Sequence, residues 1–238
     1  MNPSRPVSRK RFYQSATVAE QAGGGFAVQL DGRPVKTPAG KLLCLPTRAL
    51  AQAIAEEWNA QGETIVPASL PLTRLANTAI DGVADRKSDT ANDIVSYASA
   101  DLLCYRASFP TELVAAQARA WDPILSWVSA KYQAPFLTSS GIAHVSQPAP
   151  SLEAVRSAIA SLDAFRLAAF HVMTTLTGSA LIALAHTAGE LDADAAWAAA
   201  QTDEDWQAAK WGDDFEAAQR RKARRAEFDC ASRFYKLC

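Results

Sequence analysis

Tyr97 to Trp127, YASADLLCYRASFPTELVAAQARAWDPILSW, is the stretch on which the fold turns. Before it the chain reads as strand-rich and then mixed. After it nearly everything reads as helix. Asp101-Leu102-Leu103-Cys104-Tyr105-Arg106 is a short apolar run ending in a charge, a pattern shared by a buried strand and by the end of a helix. Pro110-Thr111-Glu112 then reads as a helix start, with proline near the first turn and an acid at the positive end. Leu113, Gln117, Trp121, Ile124 and Trp127 follow at three- and four-residue steps and make one broad apolar face, with Trp121 as its structural anchor. Asp122-Pro123 interrupts that face. Proline lacks an N–H and disfavours helix in the residue before it, so the spacing predicts a kink or a fresh first turn. The stretch reads as a core hairpin joining two halves of the fold, and it holds no catalytic pattern.

The 238 residues suffice for one large domain or two small ones, and 49% hydrophobic content supports a full core. A net charge of -1 argues against a general polyanion binder. Cys44, Cys104, Cys230 and Cys238 are scattered without a CxxC pair and read as reduced thiols. The N-terminus, MNPSRPVSRKRFY, is basic but has no apolar core of a secretory signal and is short for an organelle presequence, so it reads as a solvated tail. Leu167 to Ala185, LAAFHVMTTLTGSALIALA, is long enough to raise the question of a membrane span. Its His171, threonines, Ser179 and Gly178, and the absence of an aromatic belt, favour a buried helical hairpin split at the glycine.

Residues 12–46 read as a small antiparallel meander: a strand at Phe12-Tyr13 and Val18, a Gly23-Gly24-Gly25 turn, and the alternating Phe26 to Leu30. Asp31-Gly32 is a tight hairpin signal, followed by a strand from Arg33 to Thr37, a Pro38-Ala39-Gly40 turn and a strand from Lys41 to Leu45. Thr47 is the N-cap of a helix whose apolar face is Leu50, Ile54, Ala55 and Trp58, with Gly62 as its stop. Trp58 is expected to pack that helix onto the meander. Thr64 to Pro71 reads as a linker, dividing a β-rich domain at 1–71 from a helical domain at 72–238. Helices are expected over 73–83 and 89–99, and after a Pro/Ser/Gly-rich connection at 134–150 Ser151 caps another.

Residues 190–216 carry nine acids opposed only by Lys210, together with Trp197, Trp206 and Trp211. Trp197, Gln201, Glu204, Ala208 and Trp211 fall on one helical stripe by their spacing, which would set a carboxylate between two indoles. A solvated acidic face accounts for most of these charges; a protein interface accounts for the pairing of indole and acid. The sign then reverses in QRRKARR (219–225), which suits a nucleic-acid or acidic-lipid patch, or the exposed face of a last helix that balances the acids before it. Phe215, Phe228, Phe234 and Tyr235 would supply that helix's apolar contacts. His144, His171 and His186 have no metal-ligand spacing, and neither a GxSxG elbow nor a GxGxxG turn occurs. Neither metal nor cofactor is implied.

Several stretches together resemble a known family. They are Arg11-Phe12-Tyr13, LDGRPVKTPAG (30–40), LPTRALAQAIAEEWNAQG (45–62) with its Glu57-Trp58 pair, PLTRLANTAID (71–81), and DLLCYRASFPTELVAAQARAWDP (101–123). In this order they are similar to the assembly chaperones of the F-type ATP synthase catalytic head that hold the free alpha subunit, the Atp-twelve family. The resemblance implies an α+β fold with a small antiparallel β-rich N-terminal domain and a larger all-helical C-terminal domain. It implies a non-enzymatic protein that shields the beta-facing interface of unassembled alpha subunit; separately, a monomer is expected, and charge and hydropathy speak against nucleic acid and stable membrane insertion. An acidic position in the helical region carries function in the family, and DEDWQAAKWGDD (203–214) is its closest match here, at Glu204 or Asp203. The expected partner-binding set is Asp203, Glu204, Trp206, Trp211, Asp213, Asp214 and Glu216, with Trp58 and Trp121 structural. The untargeted N-terminus and alanine-rich composition fit a bacterial cytoplasmic member; a trimmed eukaryotic member of the mitochondrial matrix would look the same. The alternatives are an enzyme with a polar interdomain cleft, or a membrane- or nucleic-acid-associated protein using 219–225.

Overall fold

A computed structural model of the chain describes residues 9–141, 143–212 and 214–238. β1 (Arg9–Lys10) is followed by β2 (Ala16–Glu20) and β3 (Phe26–Leu30), paired antiparallel with Val18 opposite Val28. Asp31 and Gly32, at φ 47 and 78, make the two-residue turn into β4 (Arg33–Pro34), the left-handed pair that a tight hairpin requires. The Asp31 carboxylate also accepts the backbone N–H groups of Gln14 and Ser15, at 3.0 and 2.9 Å, and these bonds hold it below the usual carboxylate range. β5 (Cys44–Leu45) returns to β3. No strand forms at Phe12-Tyr13. The Arg11 guanidinium takes the carbonyls of Tyr13, Gln14 and Gln61, at 3.0, 2.7 and 2.5 Å, so a side chain satisfies acceptors that a ladder would have used.

α1 (Arg48–Asn59) starts at Thr47, whose hydroxyl oxygen accepts the Leu50 N–H at 3.2 Å. Leu50, Ala51, Ile54 and Ala55 are its buried face. The helix ends at Ala60 in right-handed conformation and not at Gly62, because the Gln61 side chain donates to the Glu57 carbonyl at 3.1 Å and supplies the partner a glycine turn would bring. Residues 64–71 are not a bare linker. They hold β6 (Thr64–Ile65), paired with β1, and a 3-10 turn at Pro67–Ser69.

α2 (Pro71–Thr78) begins under the side chain of Glu57, whose carboxylate accepts from Leu72 N at 2.7 Å, Thr73 N at 3.0 Å and the Thr73 hydroxyl at 2.9 Å. The acid of one helix thus caps the next, where free N–H groups and the helix dipole both favour a carboxylate. Glu57→Ala should lower the urea-unfolding free energy by about 1–2 kcal/mol, the scale of a lost N-cap; an unchanged midpoint would refute the cap. α2 passes into a wider π-turn at Ala79–Val83, so the expected single helix over 73–83 is two elements. α3 (Lys87–Ser99) follows.

The ambiguous run after Asp101 is a 3-10 turn at Leu102–Cys104 leading into β7 (Tyr105–Arg106). α4 (Thr111–Tyr132) then continues unbroken through Pro123, against the predicted interruption. Gln117, Trp121, Ile124 and Val128 are buried on both sides of the proline and keep one face against the core. Pro123 lacks the N–H that would bond the Arg119 carbonyl, and both residues are exposed, so that acceptor is open to solvent.

β8 (Ser139–Ser140) pairs in parallel with β7. In α5 (Ala149–Ile159) Ser151 is not the cap: it is buried inside the first turn and donates to the Pro135 carbonyl at 2.6 Å. α6 (Ala164–Thr177) and α7 (Ala180–Thr187) form the apolar hairpin, broken by Gly178 at φ 68. Among the described residues no helix is long and apolar enough to cross a membrane.

A buried polar knot joins this hairpin to the organising stretch. Asp101 is fully buried; one carboxylate oxygen accepts from Leu103 N at 3.1 Å and the Ser179 hydroxyl at 2.6 Å, and the other from Leu181 N at 3.1 Å. The Ser179 oxygen in turn accepts Ile182 N at 3.0 Å. Asp101 and Ser179 therefore cap α7 together. Burial pushes the Asp101 carboxyl up to about 7 although these donors favour its charged form. The chain ends in α8 (Ala193–Ala200), α9 (Thr202–Trp211) and α10 (Phe215–Leu237). The architecture is α+β, a small antiparallel β-rich N-terminal part and a larger helical part, with one buried cluster running from Tyr13 to Phe234.

Candidate functional site

The predicted stripe from Trp197 to Trp211 is cut in two. The helix stops at Gln201 (φ -104, ψ 11), so α8 and α9 are separate. Two donors hold the last turn of α8: the Trp121 indole N–H and the Thr202 hydroxyl reach the Ala199 carbonyl at 2.8 and 2.9 Å. Trp197 is buried against Phe228, ring centroids 5.6 Å apart, while Glu204 and Trp211 face solvent. Glu204 does not lie between the indoles of Trp197 and Trp211.

An exposed arm takes the place of that stripe. None of the described residues over 202–227, which is α9 and the first half of α10, is buried. Polar contacts fasten it to the body. The buried amide of Gln117 donates to the Asp203 carboxylate at 2.8 Å, and its oxygen accepts Ala107 N at 2.8 Å. Arg225 pairs with Asp194 at 2.5 Å, and Arg224 donates to the Leu176 carbonyl at 2.6 Å. Arg221 bonds Asp205 at 2.8 Å across the two helices of the arm. The basic run 219–225 is thus largely spent on neighbouring acids and carbonyls, which weakens its reading as a nucleic-acid or lipid patch.

Of the expected partner-binding residues, Glu204, Trp211 and Asp214 share a shallow groove of about 290 Å³ between α9 and the start of α10. Glu204 makes no hydrogen bond or ion pair among the described residues, whereas Asp203, next to it, is tied to Gln117. Asp214 caps α10 through Ala217 N at 3.1 Å, and Glu216 lies 3.8 Å from Arg220 one turn on. Asp213 lies outside the described residues. Trp206 is half-buried and meets Trp211 edge-on at 5.5 Å, with the Lys210 ammonium 5.6 Å over its ring. Trp211 and Phe215 are 74% and 75% exposed. Phe215 was expected among the packed aromatics of α10. It is instead the helix's first residue, well before Phe228 and Phe234 reach the core. Two open aromatic rings on an arm with one unpaired carboxylate, Glu204, have the composition of a protein-binding surface. Trp121 is fully buried, and Trp58 is half-buried, its ring 5.7 Å from that of Tyr13.

Sequence reasoning missed Gln117 as the clasp of the arm. Its place on an apolar helical face was the available sign, since a buried amide needs partners. Chemistry elsewhere is sparse. Burial pushes the Cys104 thiol up to about 12, away from nucleophilic use. His186 is buried between the Leu191 carbonyl at 2.9 Å and the Ser232 hydroxyl at 2.8 Å. A cleft of about 460 Å³ between α2, α6 and α10 has Arg74 and Glu227, 3.9 Å apart, as its charged lining. Among the described residues no group of three or more His, Cys, Asp or Glu is placed to hold a metal ion.

A packed α+β body with an exposed arm of aromatic and charged residues has the make-up of a protein-binding protein. The chain belongs to the ATP12 chaperone family: the family's model, described as ATP12 chaperone protein, matches residues 10–129. The mitochondrial protein atp12 of Schizosaccharomyces pombe is 28% identical over 207 residues, 82% of this chain and 71% of that one. The crystal structure of Atp12 from Paracoccus denitrificans matches with a TM-score of 0.91 at 43% identity, over 96% of this chain and 97% of that one. A variant of the same protein with one aspartate replaced by lysine matches with a TM-score of 0.91 at 42% identity, with the same coverage. A candidate chaperone from Agrobacterium tumefaciens matches with a TM-score of 0.94 at 44% identity, over 97% of this chain and 86% of that one.

Proposed function

We propose that the chain is an assembly chaperone of the F-type ATP synthase catalytic head, that it binds the free alpha subunit, and that it shields the interface alpha will later give to beta. The observation that carries the proposal is the exposed arm of a family chaperone, where Trp211 lines a groove with Glu204 and Phe215 also stands open. A nucleotide-binding subunit without its neighbour exposes apolar surface edged with basic side chains. Rings supply affinity against such a surface, and carboxylates supply register and a fast encounter. The protein acts by occupancy and not by catalysis. The test is co-expression with the cognate alpha subunit alone. Alpha should stay soluble and co-purify with the chaperone; precipitation of alpha with nothing co-purifying would overturn the proposal.

A further inference from the structure

The N-terminal part carries a groove that the arm does not explain. It has a volume of about 760 Å³ and is lined by Phe12, Trp58 and Ile65 among its apolar residues and by Arg9, Arg33 and Lys36 as its cations. Phe12 is 70% exposed and meets Tyr13 edge-on at 5.5 Å, although a large ring gains most by burial. Arg9, Arg33 and Lys36 make no ion pair and no side-chain hydrogen bond among the described residues. The one carboxylate in the lining, Asp31, is already occupied by the backbone N–H groups of Gln14 and Ser15. Arg11 close by shows what a structural cation looks like here: its guanidinium is spent on carbonyls of its own chain. The groove is therefore apolar inside with three cations against one carboxylate around it, opposite in sign to the acidic stretch at 203–216.

We propose that this groove is a second docking site, taken by an extended segment of a partner protein that carries carboxylates on both sides of a large apolar side chain. Charge complementarity selects the acids. The volume falls in the range that holds a few side chains, and a concave wall suits an extended peptide better than a flat lipid surface. A partner touching both arm and groove must present basic and acidic regions in the right places, which narrows the choice of client more than either surface alone. The proposal does not depend on the partner being an ATP synthase subunit.

The test uses the intact chain labelled with nitrogen-15 and the peptide acetyl-Glu-Asp-Leu-Phe-Asp-Glu-amide. The chain has six tryptophans, and Trp58→Phe identifies the Trp58 indole signal among theirs. That N–H is buried and makes no hydrogen bond, so its resonance reports the packing of the groove wall. The peptide should shift the Trp58 signal. Its Gln/Asn counterpart should bind roughly 10-fold more weakly or worse, and so should the acidic peptide to the Arg33→Glu/Lys36→Glu variant, as expected when steering charges are removed. Both substituted side chains are exposed, so the variant's fold is left unchanged. Four results would overturn the proposal: equal binding of the neutral peptide, shifts at the arm's indoles and not at Trp58, binding of phosphatidylserine vesicles but not of peptide, or a concentration-dependent dimer that the double variant abolishes, which would make a second copy the occupant.

Discussion

Asp101→Ala should be among the most destabilising single substitutions in this chain, lowering stability by about 3–5 kcal/mol and the melting temperature by roughly 10–15 °C for a protein of this size. The carboxylate serves three donors from two distant parts of the chain: Leu103 N, the Ser179 hydroxyl and Leu181 N. Removing it strands all of them in a site that excludes water, and an unmet buried donor costs about 1–3 kcal/mol. Asp101→Asn is the sharper probe. The amide oxygen can serve one side, but its NH₂ group then faces the N–H of Leu181, donor against donor. The pH dependence distinguishes the two roles of the group. Its pKa in the folded chain, about 7, lies above the ordinary 3.8, so the folded chain holds this proton where the unfolded chain has released it. The proton-linked part of its stability is complete below the unfolded value, falls as pH rises through the window between the two, and is gone above about 7, whereas the three accepted hydrogen bonds remain. Unfolding free energies measured from pH 5 to 8 should show wild type losing stability relative to Asp101→Asn as the pH rises. Parallel curves would mean that Asp101 ionises as an ordinary carboxylate.

Asp101 also shows where the sequence was readable and where it was not. Local chemistry was legible. Asp31-Gly32 announces a hairpin because few residue pairs tolerate the left-handed backbone of that turn. Thr47 announces a cap, and Gly178 a break in an apolar run. The failures share a cause: a side chain outside the local pattern, near or far in sequence, or packing against the core supplies what the pattern lacks. Gln61 ends α1 in place of Gly62, Glu57 starts α2, and packing on both sides carries α4 through Pro123. In the candidate site, the residue types were legible and their arrangement was not. The three- and four-residue spacing from Trp197 to Trp211 is real, but the Trp121 indole and the Thr202 hydroxyl close α8 before the stripe can form. Spacing also cannot tell a carboxylate that holds the fold from one that is free, and Asp203 and Glu204 differ in just this way.

Glu204→Lys should abolish the rescue of alpha-subunit solubility and leave the fold intact, while Asp203→Lys should fail for a different reason. Glu204 is exposed and unpaired among the described residues, so reversing its charge alters only what the arm offers a partner and a slight preference for acid in the first turn of α9. Melting temperature and circular dichroism should stay at wild-type values. Alpha should bind roughly 100-fold more weakly or worse, the scale on which a charge reversed inside a desolvated contact acts. At Asp203 the same substitution removes the acceptor of Gln117 and sets an ammonium against its buried amide. The clasp between arm and body opens, at a cost of about 1–3 kcal/mol. Amide exchange over 202–211 should accelerate, and client binding should fall because the arm is misplaced. Asp203→Asn keeps an acceptor for Gln117 and should restore binding, whereas Glu204→Gln, which removes charge without reversing it, should give an intermediate loss. The separation of stability from binding between adjacent carboxylates is what a client surface built on α9 requires. If Glu204→Lys rescues alpha as well as wild type does, the arm is not that surface. If Asp203→Asn binds as poorly as Asp203→Lys, the Asp203 charge itself meets the client, and the clasp to Gln117 exists only in the absence of a partner.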